Sequence, residues 1–245
     1  GNTYSVSMNN DKIKDFYNDF VSYQTQSGVN ERIYTLYKKM QSLGLNSDSN
    51  ILELGCGIGV MTKLLTNSVK TGYIESVDLS DKSIELAKSK IHKQNVSFYT
   101  DDVVSYQPKK KKFDFITLFD VIEHIPLELH PDLFRNLSEI ADDNTKILIN
   151  IPNPDFIDFH MHDESAWLQI VDQPIPLHFV VANSESNGLQ VSNFNTYSIW
   201  VENDYQFFVI QKKQPYKKVL LSEKRTIAKK ISNRLKNIYI GLRYR

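Results

Sequence analysis

Glu53-Leu-Gly-Cys-Gly-Ile-Gly59 decides how this chain folds. Ile51–Leu54, largely apolar, reads as a short strand, and it runs directly into three glycines spaced GxGxG. Glycine lets the main chain turn sharply and lets a ligand come close to the backbone. From Gly59 to Thr66 the pattern resumes as a helix. The glycines therefore sit where a strand hands over to a helix, which is where open α/β sheets bind their ligands.

Outward from this turn, strand and helix alternate. Tyr73–Leu79 reads as a strand ending in an acid, and Ser80 is placed to N-cap the helix Asp81–His92. Val96–Tyr99 is a strand again followed by acids, Phe113–Phe119 a strand, Leu127–Ile140 a helix and Lys146–Ile151 a strand. A helix over His178–Ser186 precedes strands Leu189–Tyr197 and Tyr205–Gln211, which suit an antiparallel pair. The alternation implies an α/β fold, a doubly wound and mostly parallel seven-stranded sheet with helices on both faces. Upstream, Asn10–Phe20 and Val29–Leu43 carry apolar residues at helical spacing, and Gly44 sits at the expected stop of the second. Three parts follow: an N-terminal helical segment over 1–45, a core over 46–212 and a tail over 213–245. Within the core, 153–177 reads as an insertion rich in Pro, His, Asp and aromatics.

Composition bounds the function. Of 245 residues 41% are hydrophobic, enough for a substantial core, and no apolar run approaches the ~18 residues of a spanning helix. The first residues lack the zones of a secretion signal, and Cys56 is the sole cysteine, so the expectation is a reducing cytoplasm. Charge is uneven. Residues 211–245 hold 12 Lys and Arg against the single acid Glu223; with 29 of each sign in all, residues 1–210 keep 17 basic and 28 acidic residues. The four-lysine run Lys109–Lys112 reads as a solvated loop.

Two acids extend the glycine turn into a ligand site. Asp78 ends the second strand, 19 residues beyond Gly59, where a carboxylate can accept hydrogen bonds from both hydroxyls of a ribose. Asp102 follows the third strand, where its side chain can accept from an adenine amino group while the Val103 amide addresses the ring. Acids after strands are commonly plain loop residues, but two at successive strand ends beside a glycine turn are not what that reading expects.

The segments Glu53–Gly59, Asp78, Asp101-Asp102-Val103 and Phe119-Asp-Val-Ile-Glu-His124 together resemble the successive motifs of class I S-adenosylmethionine-dependent methyltransferases of the small-molecule type. The likeness covers about residues 50–151 well and the rest loosely. It implies S-adenosylmethionine as cofactor. It further implies that Glu53 orients the glycine loop, that Gly55 and Gly57 permit close approach beside Gly59, and that Cys56 is a small loop residue rather than a nucleophile. Asp78 would hold the ribose with Leu79 on the adenine, Asp102 and Val103 would recognise adenine, and Phe119 and Asp120 would lie beside the methionine and sulfonium. His124 falls near the acceptor pocket, where an imidazole can take a proton from an acceptor hydroxyl or merely shape the floor. The N-terminal helices resemble a lid, with Tyr17, Tyr23 and Arg32 as covering residues and Arg32 suited to a ligand carboxylate.

The insertion after the fifth strand should overhang the acceptor, presenting Phe156, Phe159, His160, Met161, His162 and Trp167, with His178 just after. Such a wall suits a small organic acceptor or a sugar. His160-Met-His162-Asp163 has ligand-type residues but is too short to specify a metal, and none is expected. The expected reaction is methyl transfer to an oxygen or nitrogen of a small molecule, with a sugar or glycan precursor as one acceptor. A nicotinamide-dependent oxidoreductase fits the glycine turn and Asp78, but Val60 and Thr62 leave the third glycine of GxGxxG missing. A silent cofactor-binding scaffold is the non-enzyme alternative. No nucleic-acid partner is expected: residues 1–210 are acidic, and Asn153-Pro154 follows the fifth strand, not the fourth. The stretch Ser222–Tyr239 can form a basic amphipathic helix. It suits packing on the acidic body or in a homodimer, the first expectation, or peripheral contact with an anionic membrane.

Overall fold

The computed structural model describes residues 28–162, 173–216 and 226–243. The expected helix Asn10–Phe20, Tyr17, Tyr23, Asp163 and Trp167 lie outside the described residues, as do Ser222–Arg225 of the tail. Two compact units divide between Lys213 and Gln214. The first holds the sheet.

Its strands are β1 (Ile51–Leu54), β2 (Ile74–Asp78), β3 (Val96–Thr100), β4 (Phe115–Phe119), β5 (Lys146–Pro152), β6 (Leu189–Tyr197) and β7 (Tyr205–Lys212), in the spatial order β3-β2-β1-β4-β5-β7-β6. The pairings from β3 to β5 are parallel; β7 is antiparallel to both β5 and β6. β1 and β4 are almost wholly buried, as parallel strands covered by helices on both faces must be. β6, at the edge, is mostly half exposed.

The helices in chain order are α1 (Glu31–Ser42), α2 (Val60–Leu65), α3 (Asp81–Lys90), α4 (His130–Ile140), α5 (Pro154–His162) and α6 (Leu177–Ser186), with α7 (Ile227–Arg243) in the second unit. Caps fix their starts. Asn30 accepts from Ile33 N at 3.0 Å to begin α1, and Ser80 accepts from Ser83 N at 3.1 Å to begin α3, as its sequence predicts.

Strand parity sorts the core into two layers. Leu52, Leu54, Ile116, Leu118, Ile147 and Ile149 face α4 and α6, where Phe134 and Val180 are fully buried. Ile51, Ile74, Phe115 and Leu148 face α1 and α2, against Leu36, Met40 and Leu65. Each large apolar side chain so buried contributes about 1.5–3 kcal/mol.

Two elements depart from the sequence reading. The helix expected over Leu127–Ile140 starts as a 3₁₀ turn, Leu127–Leu129, and becomes α-helical at His130, because Pro131 suits a helix's first turn and not its interior. The insertion, to which the sequence assigns no element, contains α5: Asn153 O accepts from Ile157 N at 3.1 Å, Asn153 Oδ1 accepts from Asp155 N at 3.1 Å, and Pro154 occupies the start where no N–H is needed.

Ser80→Ala should lower the unfolding free energy by about 1 kcal/mol, because it deletes the α3 cap while keeping the backbone amide of residue 80. Urea titration checks this; an unchanged midpoint would mean the cap contributes nothing.

Candidate active site

The floor of the site is a row of polar side chains on the α1–α2 face. Ser76, Glu53 and Thr117 stand directly opposite one another across β2, β1 and β4, and all three are buried. Glu53 Oε2 accepts from Thr62 Oγ1 at 2.5 Å and from Ser76 Oγ at 2.8 Å. Burial pushes the Glu53 carboxyl up to about 7; the two hydroxyls oppose the shift and Asp78 adds to it. Thr117 Oγ1 is buried with no hydrogen-bond partner, and Thr117 lines the cavity above.

Over this floor the glycine turn closes onto the end of β2. Gly55 N and Cys56 N both donate to Val77 O, at 2.8 and 2.9 Å, and Gly57 N donates to Asp78 Oδ2 at 2.7 Å. Asp78 Oδ1 accepts from Ser80 N at 2.9 Å. Burial raises the Asp78 pKa although these backbone amides pull it down. Gly55 has φ +80°, and a Cβ there would lie 2.2 Å from Val121 Cγ2, so no side chain fits without moving the loop after β4. Gly59 begins α2 and packs against Ala87 of α3 instead of lining the cavity. Burial pushes the Cys56 thiol well above its ordinary value, with Asp78 and Glu53 adding, so it stays protonated and is a poor nucleophile.

The cavity so formed measures about 410 Å³. Gly55, Cys56, Gly57, Asp78 and Leu79 line one side with Asp102 and Val103, and Phe119, Asp120 and His124 line another. Glu53 reaches it from the floor, and Arg32, Ile33 and Leu36 of α1 form a further wall. Asp102 Oδ1 accepts from Val104 N at 2.9 Å, which fixes the turn after β3. The structure thus brings together His124 and the described residues that the sequence assigns to the cofactor, apart from Gly59.

Asp120 stands in the left-handed region, φ +55°, at a cost on the order of 1–2 kcal/mol. Its N–H donates to Asn150 O at 2.8 Å, and Asn150 Nδ2 donates to Asp120 Oδ1 at 3.2 Å; Tyr197 OH donates to Asn150 Oδ1 at 2.6 Å. Arg32 forms an ion pair with Asp120. The expected partner of Arg32 is a ligand carboxylate; here the carboxylate is the chain's own. The guanidinium carbon lies 5.9 Å from the Trp200 ring centroid and 5.8 Å from that of Tyr205. Burial works against the Arg32 charge, but Asp120, Tyr205 and Glu123 more than offset it. Burial, and then Asp120, raises the Tyr197 and Tyr205 hydroxyls above their ordinary range.

His124 ends the 3₁₀ turn Ile122–His124, with Nε2 3.9 Å from Glu123 Oε1. That turn is clamped from two directions. His130 Nε2 is 3.0 Å from both Ile122 O and Ile125 O, and Gln173 donates from N to Glu123 O at 3.1 Å and from Nε2 to Ile125 O at 3.0 Å. Through Gln173 the far end of the insertion touches the His124 loop. Phe156, Phe159 and His178 do not line this cavity, and Phe159 is exposed. The side chains of His160, Met161 and His162 lie outside the description.

Sequence reading misses Thr117, Asn150 and the Tyr197–Trp200–Tyr205 cluster. Thr117 has a signal, being polar in an apolar strand and two residues before Phe119, hence on its face. The aromatic cluster has none, since the antiparallel return of β7 beside β5 is what brings it to the site.

Glu53 predicts a pH effect on stability. Its proton is held more tightly in the folded protein, so the stability it contributes is complete below its ordinary value of 4.5 and is lost as pH rises through about 7. Glu53→Gln should therefore gain stability relative to wild type between pH 5 and pH 8. Urea unfolding across that range checks it; a difference that does not vary with pH would contradict the buried-proton reading.

The family model for a methyltransferase domain matches residues 28–196. The chain is 40% identical over 68 residues to malonyl-acyl-carrier-protein O-methyltransferase 2 of Ilyobacter polytropus, covering 27% of this chain and 26% of that one. It is 27% identical over 160 residues to a malonyl-acyl-carrier-protein O-methyltransferase of Acetivibrio thermocellus, covering 63% and 54%. The chain thus spans about a quarter to about half the length of these relatives. Among solved structures, magnesium protoporphyrin IX methyltransferase from Synechocystis has the same fold, with a TM-score of 0.68 at 15% identity over 83% of this chain and 100% of that one. The matched region takes in α1, the glycine turn, the Asp78 and Asp102 turns, the His124 loop and all but the last residue of β6, and the chain belongs to the methyltransferase-domain family.

Proposed function

We propose that this chain transfers a methyl group from S-adenosylmethionine to an oxygen or nitrogen of a small molecule. The observation that carries the reading is Asp78, a buried carboxylate at the end of β2 that holds the glycine turn by Gly57 N and lines the cavity. The residues present fit that cofactor. The volume of about 410 Å³ falls in the ~300–1,000 Å³ range of small-ligand sites. Apolar Leu79 and Val103 stand beside carboxylate acceptors, and Thr117 Oγ1 offers an unused polar atom.

In this reading Asp78 accepts from ribose hydroxyls, Leu79 packs on adenine, and Asp102 and Val103 recognise the adenine edge. Glu53, Gly55, Cys56 and Gly57, with Gly59 behind them, surround the methionine portion. Phe119 and Asp120 lie beside the sulfonium, with Arg32 neutralising Asp120 when the site is empty of cations. Arg32 and α1 act as the lid. Bound cofactor supplies an activated methyl that needs no metal or covalent enzyme intermediate. The chain's own work is then to orient an acceptor atom, exclude water and remove a proton. His124 is the base for that proton, positioned by the two-sided clamp on its loop.

Oxygen is the favoured acceptor atom, in keeping with the names of the relatives. Sugars or glycan precursors and small carboxylic acids are the acceptor classes this reading puts first. Hydride transfer to a nicotinamide finds no support. β7 runs antiparallel between β5 and β6, unlike the all-parallel dinucleotide order, and Asp102 and His124 would have no task.

Isothermal titration with S-adenosylmethionine and S-adenosylhomocysteine should show binding to wild type, weakened about 10- to 100-fold in Asp78→Ala by loss of charge-assisted hydrogen bonds. No binding to folded wild type would overturn the reading. With an acceptor in hand, His124→Gln should lower kcat about 100-fold and leave cofactor affinity unchanged. An unaltered kcat would reduce His124 to a shaping residue.

A further inference from the structure

The second unit carries a surface that methyl transfer does not explain. α7 has five basic side chains, Lys229, Lys230, Arg234, Lys236 and Arg243, and no acid. At ~100° per residue, Ile227, Ile231, Leu235, Ile238 and Leu242 fall within a ~80° arc of this helix. All five are more than half exposed, from 54% at Ile238 to 78% at Ile227. Tyr239 borders the stripe, also exposed, and Lys230 and Arg234 flank it on the other side.

We propose that α7 is an interfacial anchor that lies flat on an anionic lipid bilayer. Charge favours an anionic bilayer over a second copy as the cover. Two copies of the helix packed stripe to stripe would bring ten cations together with no acid on either helix to offset them, which disfavours a second copy. An anionic headgroup layer offsets every one of those cations while its acyl boundary takes the apolar arc. The acidic excess of residues 1–210 would repel such a surface, so attraction has to come from the basic tail. A helix of 17 residues reaches about 25 Å, and among the described residues no helix is long and apolar enough to cross a membrane. The anchor therefore lies on the bilayer. It would hold the chain where acceptors carrying a lipid tail are concentrated, a consequence that rests on the methyltransferase reading; the anchoring itself does not.

Co-sedimentation of the full chain with vesicles tests it. Wild type should pellet with phosphatidylcholine vesicles containing about 25% phosphatidylglycerol at ~0.15 M salt and remain in solution with phosphatidylcholine alone. Ile231→Ser with Leu235→Ser, which keeps every charge, should weaken binding at least ~10-fold. Lys230→Gln with Arg234→Gln, which keeps the stripe and the helix-forming character, should weaken it about fivefold per charge removed. S-adenosylhomocysteine titration of each variant confirms an intact core by unaltered affinity relative to wild type, and failure of that ligand to bind wild type would indict the methyltransferase reading alone. Wild type that stays in solution with anionic vesicles overturns the anchor, as does vesicle binding that the serine pair leaves intact. A dimer that Leu235→Ser dissociates, with no vesicle binding, would give the stripe to a second copy and equally overturn it.

Discussion

The carboxylate of Asp78 joins two turns that the sheet alone only places side by side. Parallel pairing of β1 and β2 sets Leu54 beside Val77, so the glycine turn after β1 and the turn after β2 leave the sheet at the same level. Asp78 then accepts from Gly57 on one side and from Ser80 on the other. The first bond fixes the glycine loop; the second lies next to the cap that starts α3. One acid thereby sets the geometry of both helix starts and stays at the cavity wall. It carries the cost of a buried charge, visible in its raised pKa, and partial satisfaction by backbone amides is what makes that tolerable.

The opposite wall rests on a second charged contact. Asp120 adopts a conformation that favours glycine, held by its paired hydrogen bonds with Asn150 and by the ion pair with Arg32. Strain of this kind persists only where neighbours over-determine it, and it clusters at functional sites. Arg32 in turn ties α1 to the aromatic cluster of Tyr205 and Trp200 at the turn between β6 and β7. Asp204, buried, accepts from Ile199 N, Trp200 N and Val201 N and so shapes that turn. Of the carboxylates that line the cavity, Asp78 is thus served by backbone amides and Asp120 by a guanidinium.

Much of this was legible in the residues, and the rest was hidden for identifiable reasons. Glycine and acid at successive strand ends mark a ligand site locally, so Gly55, Gly57, Asp78 and Asp102 could be named before any pairing was known. α5 is hard to see in the sequence because a proline inside a His- and Asp-rich stretch gives no helical periodicity, while Pro154 in fact stands at a helix start. Thr117 matters because it pairs with Glu53, and register between non-adjacent strands is not written in either segment. Arg32 was expected to meet a ligand; that its partner is Asp120 depends on α1 docking over β4, a tertiary fact. Position after the fifth strand gives the end of the sheet but not the direction in which Phe156 and Phe159 point, and neither lines the cavity.

The cavity as cofactor site is the claim from which the rest of the chemistry follows. A crystal structure of the full chain grown with saturating S-adenosylhomocysteine tests it most directly. The account predicts ordered ligand in the cavity, its ribose hydroxyls hydrogen-bonded to Asp78 and its adenine at Asp102 and Val103. Ligand ordered elsewhere on the chain, or a cavity that stays empty at saturation, would contradict it.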